Sequence, residues 1–99
     1  MLMPFTVLSQ SDTLSRSTNI VGCQSGDCIN GTGVYLYKNG NRYEGAFKNG
    51  SPDGKGVMQY RNGNRYKGDF TQGRLNGKGN YSYRNGNSYT GDFVNDQFH

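Results

Sequence analysis

NGNRYEGAFKNG, at residues 39–50, returns as NGNRYKGDFTQG at residues 62–73 and begins a third time as NGNSYTGDFVND at residues 85–96. Tyrosine and phenylalanine recur in these phrases with a period of 23 residues, in two columns: Tyr43, Tyr66 and Tyr89, and Phe47, Phe70 and Phe93. A repeat of this length is typical of arrays in which each unit buries its hydrophobic face against the next one. The repeat therefore decides the fold.

The composition favours a thin architecture. Only 31% of the 99 residues are hydrophobic and 16 are glycine, so the chain is too short and too polar for a thick layered core. Eight tyrosines and five phenylalanines supply much of the apolar surface. Tyrosine suits a sheet whose rings pack together while their hydroxyls reach water or a partner.

Each repeat predicts a β-hairpin. The first strands read GVYLY, GVMQY and GNYSY, the second strands read RYEGAF, RYKGDF and SYTGDF, and Asn-Gly lies between them each time. Asn-Gly is a strong hairpin signal because glycine accepts a positive φ without steric cost. No stretch has a convincing helical period. The predicted fold class is all-β: an elongated single-layer array of consecutive antiparallel β-hairpins with a period of 23.

The register follows from the length of the hairpin loop. A three-residue loop at residues 38–40, with Gly40 in the left-handed region, sets Tyr35 opposite Tyr43 and Gly33 opposite Gly45. A two-residue loop would split the aromatic columns between the two faces of the sheet. We therefore predict the three-residue loop, which collects the aromatic residues on one face and leaves a solvated opposite face with Arg42, Glu44 and Ala46.

Glycine also recurs in columns, and such columns indicate positions where backbone or a neighbouring ring must come close. Together with the phenylalanines, these glycines are the predicted structural residues of the repeat: Gly45, Phe47, Gly54, Gly56, Gly68, Phe70, Gly77, Gly79, Gly91 and Phe93.

The pattern Y-x-G-x-F-x-x-G-x-x-x-G-x-G, complete from Tyr43 to Gly56 and again from Tyr66 to Gly79, resembles the MORN (membrane occupation and recognition nexus) repeat. The resemblance implies an array over residues 22–99: a partial repeat at 22–33, full copies starting near 43 and 66, and a truncated copy at 89–99 in which Asp96 replaces glycine. The segment SGDC-x-NG at 25–31 is similar to the start of bacterial members. In enzymes of this family the active sites lie in other domains, so the resemblance implies a non-catalytic chain.

Residues 1–21 are rich in serine and threonine, which predicts a mobile leader. Its short apolar start has no basic residues before it, so we expect no complete signal peptide, and no apolar run is long enough for a transmembrane helix. The expected location is the cytoplasm or the periphery of the cell envelope.

The leading functional hypothesis is a protein-binding face lined or supported by tyrosine side chains, because tyrosine is enriched at protein interfaces. The array would then be a binding or scaffolding module. The residues of this predicted face are Tyr35, Tyr37, Tyr43, Tyr60, Tyr66, Tyr83 and Tyr89.

The charge pattern supports an alternative. Residues 28–91 hold ten Lys/Arg and three Asp/Glu, an excess of 10 − 3 = +7. Stacking at the repeat period would form rows of cations, which suit anionic phospholipid. Charged turns also keep sheet edges from pairing, so the same pattern has a structural interpretation. The candidate lipid-binding residues are Lys38, Arg42, Lys55, Arg61, Arg65, Lys78 and Arg84.

Other functions find little support in the residues. Cys23 and Cys28 predict a disulfide in an oxidising compartment, free thiols in the cytosol, or a lipidated Cys23 that could not pair. No metal site is expected, since the single histidine is His99, and neither a cofactor nor a catalytic set is indicated. No nucleic-acid signature occurs. A structural spacer that associates end to end as a homodimer remains a further alternative, because an unstacked end of an array exposes unpaired backbone.

Overall fold

The structure, a computed structural model, describes residues 20–98 and contains a single antiparallel sheet there. The predicted leader falls almost wholly on residues 1–19, which lie outside the described residues. Neighbours along the chain are neighbours in the sheet, and the molecule measures 62 × 33 × 17 Å. The eight strands are β1 (Gly22–Gly26), β2 (Thr32–Leu36), β3 (Arg42–Lys48), β4 (Ser51–Gln59), β5 (Arg65–Thr71), β6 (Arg74–Ser82), β7 (Ser88–Val94) and β8 (Gln97–Phe98). The all-β hairpin array predicted from the repeats is confirmed.

The predicted register is confirmed at the first hairpin tip. Tyr35 lies opposite Tyr43 and Gly33 opposite Gly45. The Tyr37 N–H donates to the Asn41 carbonyl at 2.8 Å, which closes a three-residue loop with φ of 96° at Gly40. The tips between β4 and β5 and between β6 and β7 repeat this geometry, with φ of 98° at their glycines. We call this border of the sheet, where the strands end in the tip loops, the tip edge.

The other edge of the sheet, which we call the turn edge, uses two-residue turns that the sequence analysis did not anticipate. Both residues of each turn have positive φ, as in Asn49-Gly50 (52° and 83°) and Asn95-Asp96 (49° and 71°). Such turns match the right-handed twist of the flanking strands. Asp96 holds the position of the missing glycine because its carboxylate accepts a hydrogen bond from the Leu75 N–H at 2.8 Å. The departure from the repeat pattern thus leaves the turn intact.

The core is one continuous chain of edge-to-face aromatic contacts. Tyr43 contacts Phe47 of its own strand and Phe70 of the next repeat, with centroids 5.0 and 4.9 Å apart. Tyr66 contacts Phe70 and Phe93 in the same way, at 5.1 and 4.9 Å. Edge-to-face pairs add about 0.5–1.5 kcal/mol beyond the area that they bury. Each repeat therefore completes the core of the one before it.

A row of glycines crosses the sheet beneath the tyrosine hydroxyls. Gly45, Gly56, Gly68, Gly79 and Gly91 are paired in sequence from β3 to β7. A Cβ at Gly56 would lie 2.2 Å from the Tyr43 hydroxyl oxygen, and one at Gly79 would lie 2.3 Å from that of Tyr66. The glycines are thus required because the phenol rings lie flat on the backbone.

Each buried hydroxyl finds an acceptor in its own strand. Tyr43 donates to the Ala46 carbonyl at 2.7 Å, Tyr66 to the Asp69 carbonyl at 2.9 Å and Tyr89 to the Asp92 carbonyl at 3.2 Å. These bonds satisfy polar groups that would otherwise be costly to bury.

The cysteines tie the first strand to the turn edge. Cys23 of β1 and Cys28 of the following loop form a disulfide with their Cα atoms 5.9 Å apart, and Cys28 is buried against the aromatic core. The same loop continues the turn edge, because the Asn49 N–H donates to the Asn30 side-chain oxygen at 3.0 Å. The structure therefore places the pair in a structural position.

We expect Gly79→Ala to destabilise the protein by about 1–3 kcal/mol, because the new methyl group would displace the Tyr66 ring from the backbone. Gly91→Ala is the matched control: its Cβ would meet the Tyr89 hydroxyl at 2.7 Å, a milder overlap. Denaturant unfolding of both variants checks the order. Equal or negligible losses would show that the ring–glycine contact does not limit stability.

Candidate functional site

The predicted tyrosine face divides into a buried and an accessible part. Tyr43 and Tyr66 have no accessible surface, because the phenylalanines on either side and the glycine row enclose them. Both therefore support the predicted face from below and do not line it. The sequence pattern could not show this, since it places all tyrosines on one face without revealing how tightly neighbouring repeats close over them.

The accessible part lies beside the tip edge. Tyr37, Tyr60 and Tyr83 each immediately precede a tip loop, and we call them the tyrosine row. Tyr35 packs against Tyr37 with centroids 4.7 Å apart, and Tyr81 packs against both Tyr60 and Tyr83. Tyr83 is the most accessible at 37%. Tyr81 was not among the predicted residues of the face, although it shares the repeat column of Tyr35 and Met58.

A cleft of about 300 Å³ lies between Tyr37, at one end of the tyrosine row, and the turn edge. Met58, which is 8% exposed, forms its floor, and Tyr37 and Pro52 lie on its two sides. Asn39 and Asn41 complete the side at the tip edge. The cleft thus combines an apolar floor with amide groups at its rim.

Burial changes the acidity of the phenols on this face. It raises the pKa values of Tyr37 and Tyr60 above the ordinary value, chiefly by desolvation, and it raises that of Tyr43 to about 12 for the same reason. These hydroxyls are therefore neutral hydrogen-bonding groups at physiological pH.

The tip edge carries five of the predicted lipid-binding cations: Lys38, Arg42, Arg61, Arg65 and Arg84. The stem of Arg61 lies over Gly40, where a Cβ would be 3.0 Å from its Cδ, and Arg84 lies over Gly63 in the same way. Asparagine side chains fix the spacing between neighbouring tips. The side-chain oxygen of Asn41 accepts a hydrogen bond from the backbone N–H of Arg61, and that of Asn64 accepts one from the backbone N–H of Arg84, both at 3.0 Å. Successive tips are thus locked into a ladder.

Lys55 and Lys78 do not belong to this ladder. They lie on the face opposite the tyrosines, where Lys55 pairs with Asp69, and the Lys78 Nζ lies 2.5 Å from an Asp92 oxygen. Cross-strand register brings each lysine opposite its aspartate. Each of the two lysines therefore has a carboxylate partner and lies apart from the cations of the tip edge.

The same face contains a trough that the sequence analysis did not identify as a site. It has a volume of about 730 Å³, and its floor is the row of five glycines from Gly45 to Gly91. One wall holds Glu44, Val57, Lys67, Asn80 and Thr90, and we call it the mixed wall; the other holds Lys55 and Lys78, and we call it the lysine wall. The glycine columns gave no signal of this trough, because a Cβ at each of the five glycines would point to the aromatic face and meet a tyrosine hydroxyl.

The described part of the chain contains neither a metal-binding cluster nor a membrane-spanning helix. Residues 20–98 contain no group of three or more side chains placed to hold a metal ion. The same residues include no helix that is long and apolar enough to cross a membrane.

We expect stability to fall as the pH rises from about 10 to 12. Tyr43 ionises near 10 when unfolded and at about 12 when folded, so the folded state holds the proton longer and loses its advantage through this window. In this window the ionisation of Tyr43 lowers the free energy of unfolding by up to about 1.4 kcal/mol per pH unit. Denaturant unfolding at pH 8 to 11.5 measures the slope, which Tyr43→Phe should reduce. An unchanged slope in the variant would contradict the assignment.

The repeats match a known family model. A model described as MORN repeat matches four consecutive segments of the chain, at residues 29–42, 43–65, 66–88 and 89–99. The match covers well over half of the sequence, and its boundaries at 43, 66 and 89 coincide with the tyrosine column. No curated protein matches the chain significantly.

Proposed function

Since the chain belongs to the MORN repeat family, whose repeats are generally associated with binding or membrane-related roles, we propose that it is a non-catalytic binding module that holds a protein partner on the tyrosine row. The observation that carries this proposal is the partly accessible tyrosine row, whose first member, Tyr37, lines a cleft with an apolar floor.

The surface has the composition of a protein interface. Rigid aromatic side chains with few rotatable bonds lose little entropy on binding, and tyrosine and arginine are both enriched at such contacts. Tyr83 and Arg84 are adjacent at one tip, and Tyr60 and Arg61 at another. The row also rests on a fully packed core, so its side chains are held in place before a partner arrives.

Site-specific photocrosslinking in cells tests the proposal. A photoreactive residue at position 83 should capture a discrete partner, while the same residue at position 67, on the opposite face, should not. Tyr83→Ser should weaken binding of the captured partner by at least about tenfold, as expected for an interface aromatic residue. Equal capture at both positions, or unchanged affinity of the variant, would rule out the tyrosine row as the binding surface.

The ladder at the tip edge supports a second candidate, peripheral attachment to anionic phospholipid. Arg42 of this ladder forms an ion pair with Glu44 at 3.5 Å. Among the described residues, Arg61 and Arg84 enter no ion pair. Each accessible cation near an anionic surface contributes about 1 kcal/mol of attraction.

Vesicle co-sedimentation at low and high salt tests this candidate. The double variant Arg61→Ser/Arg84→Ser should lose about 2 kcal/mol of binding to anionic vesicles. Lys55→Ser/Lys78→Ser is the matched control, since it removes the same charge from the trough face. Equal losses in the two variants would indicate a response to net charge alone, and pelleting with neutral vesicles would contradict the electrostatic basis.

A further inference from the structure

The trough on the face opposite the tyrosines has defined dimensions. Its glycine floor crosses five neighbouring strands, which corresponds to a length of about 19 Å at the usual strand spacing. Its walls rise from residues on either side of each glycine, so their backbones are about 7 Å apart. The trough therefore admits one thin, extended chain that runs across the strands.

These dimensions do not suit the common peptide occupants. An α-helix with its side chains is about 10–12 Å wide, so it would rest on the walls without filling the floor. An extended peptide would lie across strands whose backbone groups are already used in the ladders on both sides. Its own N–H and C=O groups would face a floor of C–H groups, which is unfavourable.

Most charges of the trough are paired within the protein. Lys55 pairs with Asp69, Lys78 with Asp92 and Glu44 with Arg42, so Lys67 is the one trough lysine that enters no ion pair among residues 20–98. Asn80 donates to the Thr90 hydroxyl at 2.6 Å and adds neutral donors and acceptors. Such walls favour an uncharged polyhydroxyl ligand over a polyanion.

We propose that the trough binds a β-1,4-linked glycan. In this linkage the pyranose rings form a flat ribbon whose two faces are C–H groups and whose hydroxyls lie along the rims. The faces suit the glycine floor, and the rims reach the walls. One ring is close in length to the strand spacing of about 4.8 Å, so successive rings lie over successive strands.

The walls repeat in step with such a ribbon. Lys55–Asp69 joins β4 to β5 and Lys78–Asp92 joins β6 to β7, so the same pair recurs every second strand, at about 9.6 Å. In a β-1,4 chain alternate rings are flipped, and every second ring presents the same edge to the same wall. Hydroxyls of every second sugar thus meet an equivalent lysine–aspartate pair.

Titration calorimetry of the full chain tests the proposal with three hexasaccharides. Cellohexaose and chitohexaose are β-1,4-linked and distinguish plain from N-acetylated sugars; binding of either one supports the proposal. Maltohexaose is the matched control, because it has the composition of cellohexaose but an α-linkage that coils the chain. No heat with either β-linked sugar at millimolar concentration, or equal affinity for maltohexaose, would overturn the proposal.

Two further measurements locate the site. Lys67→Ala/Asn80→Ala removes exposed and half-exposed polar groups of the mixed wall and should weaken binding by about tenfold, with Tyr83→Ser unchanged as the control for the opposite face. In case the double variant does not fold, amide shifts of the wild-type protein should change at Gly56, Gly68 and Gly79 on adding the sugar. Shifts confined to the tyrosine row would place the ligand elsewhere and overturn the assignment.

Discussion

The contact between a tyrosine ring and a glycine of the neighbouring strand is the constraint on which the array depends. The ring lies flat only where no Cβ exists, and its hydroxyl then reaches a carbonyl three residues along its own strand. Placing the ring there brings its edge against the phenylalanines of two repeats. One contact therefore links sheet geometry, polar satisfaction and the stacking of repeats.

This constraint gives the two faces of the sheet different roles. The aromatic face is used mainly for stability, and only its margin beside the tips is accessible. On the opposite face the backbone of the glycine row is accessible between two rows of mostly polar side chains. A repeat that packs its core on one face thus leaves a continuous trough on the other, so surfaces on both faces are available for binding.

Much of the fold could be predicted from the sequence because the period of 23 fixes it. Asn39-Gly40 marked the position of the loop, the aromatic columns decided its length, and that length placed Tyr35 opposite Tyr43. The turn edge was not predicted, since Gln72-Gly73 and Asn95-Asp96 lack a common sequence signal and rely on positive φ held by the neighbouring turn. Burial of Tyr43 and Tyr66 depends on contacts between repeats, which spacing alone does not give.

The charged residues of the candidate surfaces show the same limit of prediction from sequence. Lys55 and Lys78 were candidate lipid-binding residues, like the tip cations, because all of them recur at the repeat period. Register separates them, since Asp69 and Asp92 fall directly opposite the two lysines, while Arg61 and Arg84 lie over glycine at the tips. Identical periodicity therefore yields a balanced wall on one face and an accessible cationic ladder at one edge. Cross-strand neighbours, rather than the period, decide which cations are available to a ligand.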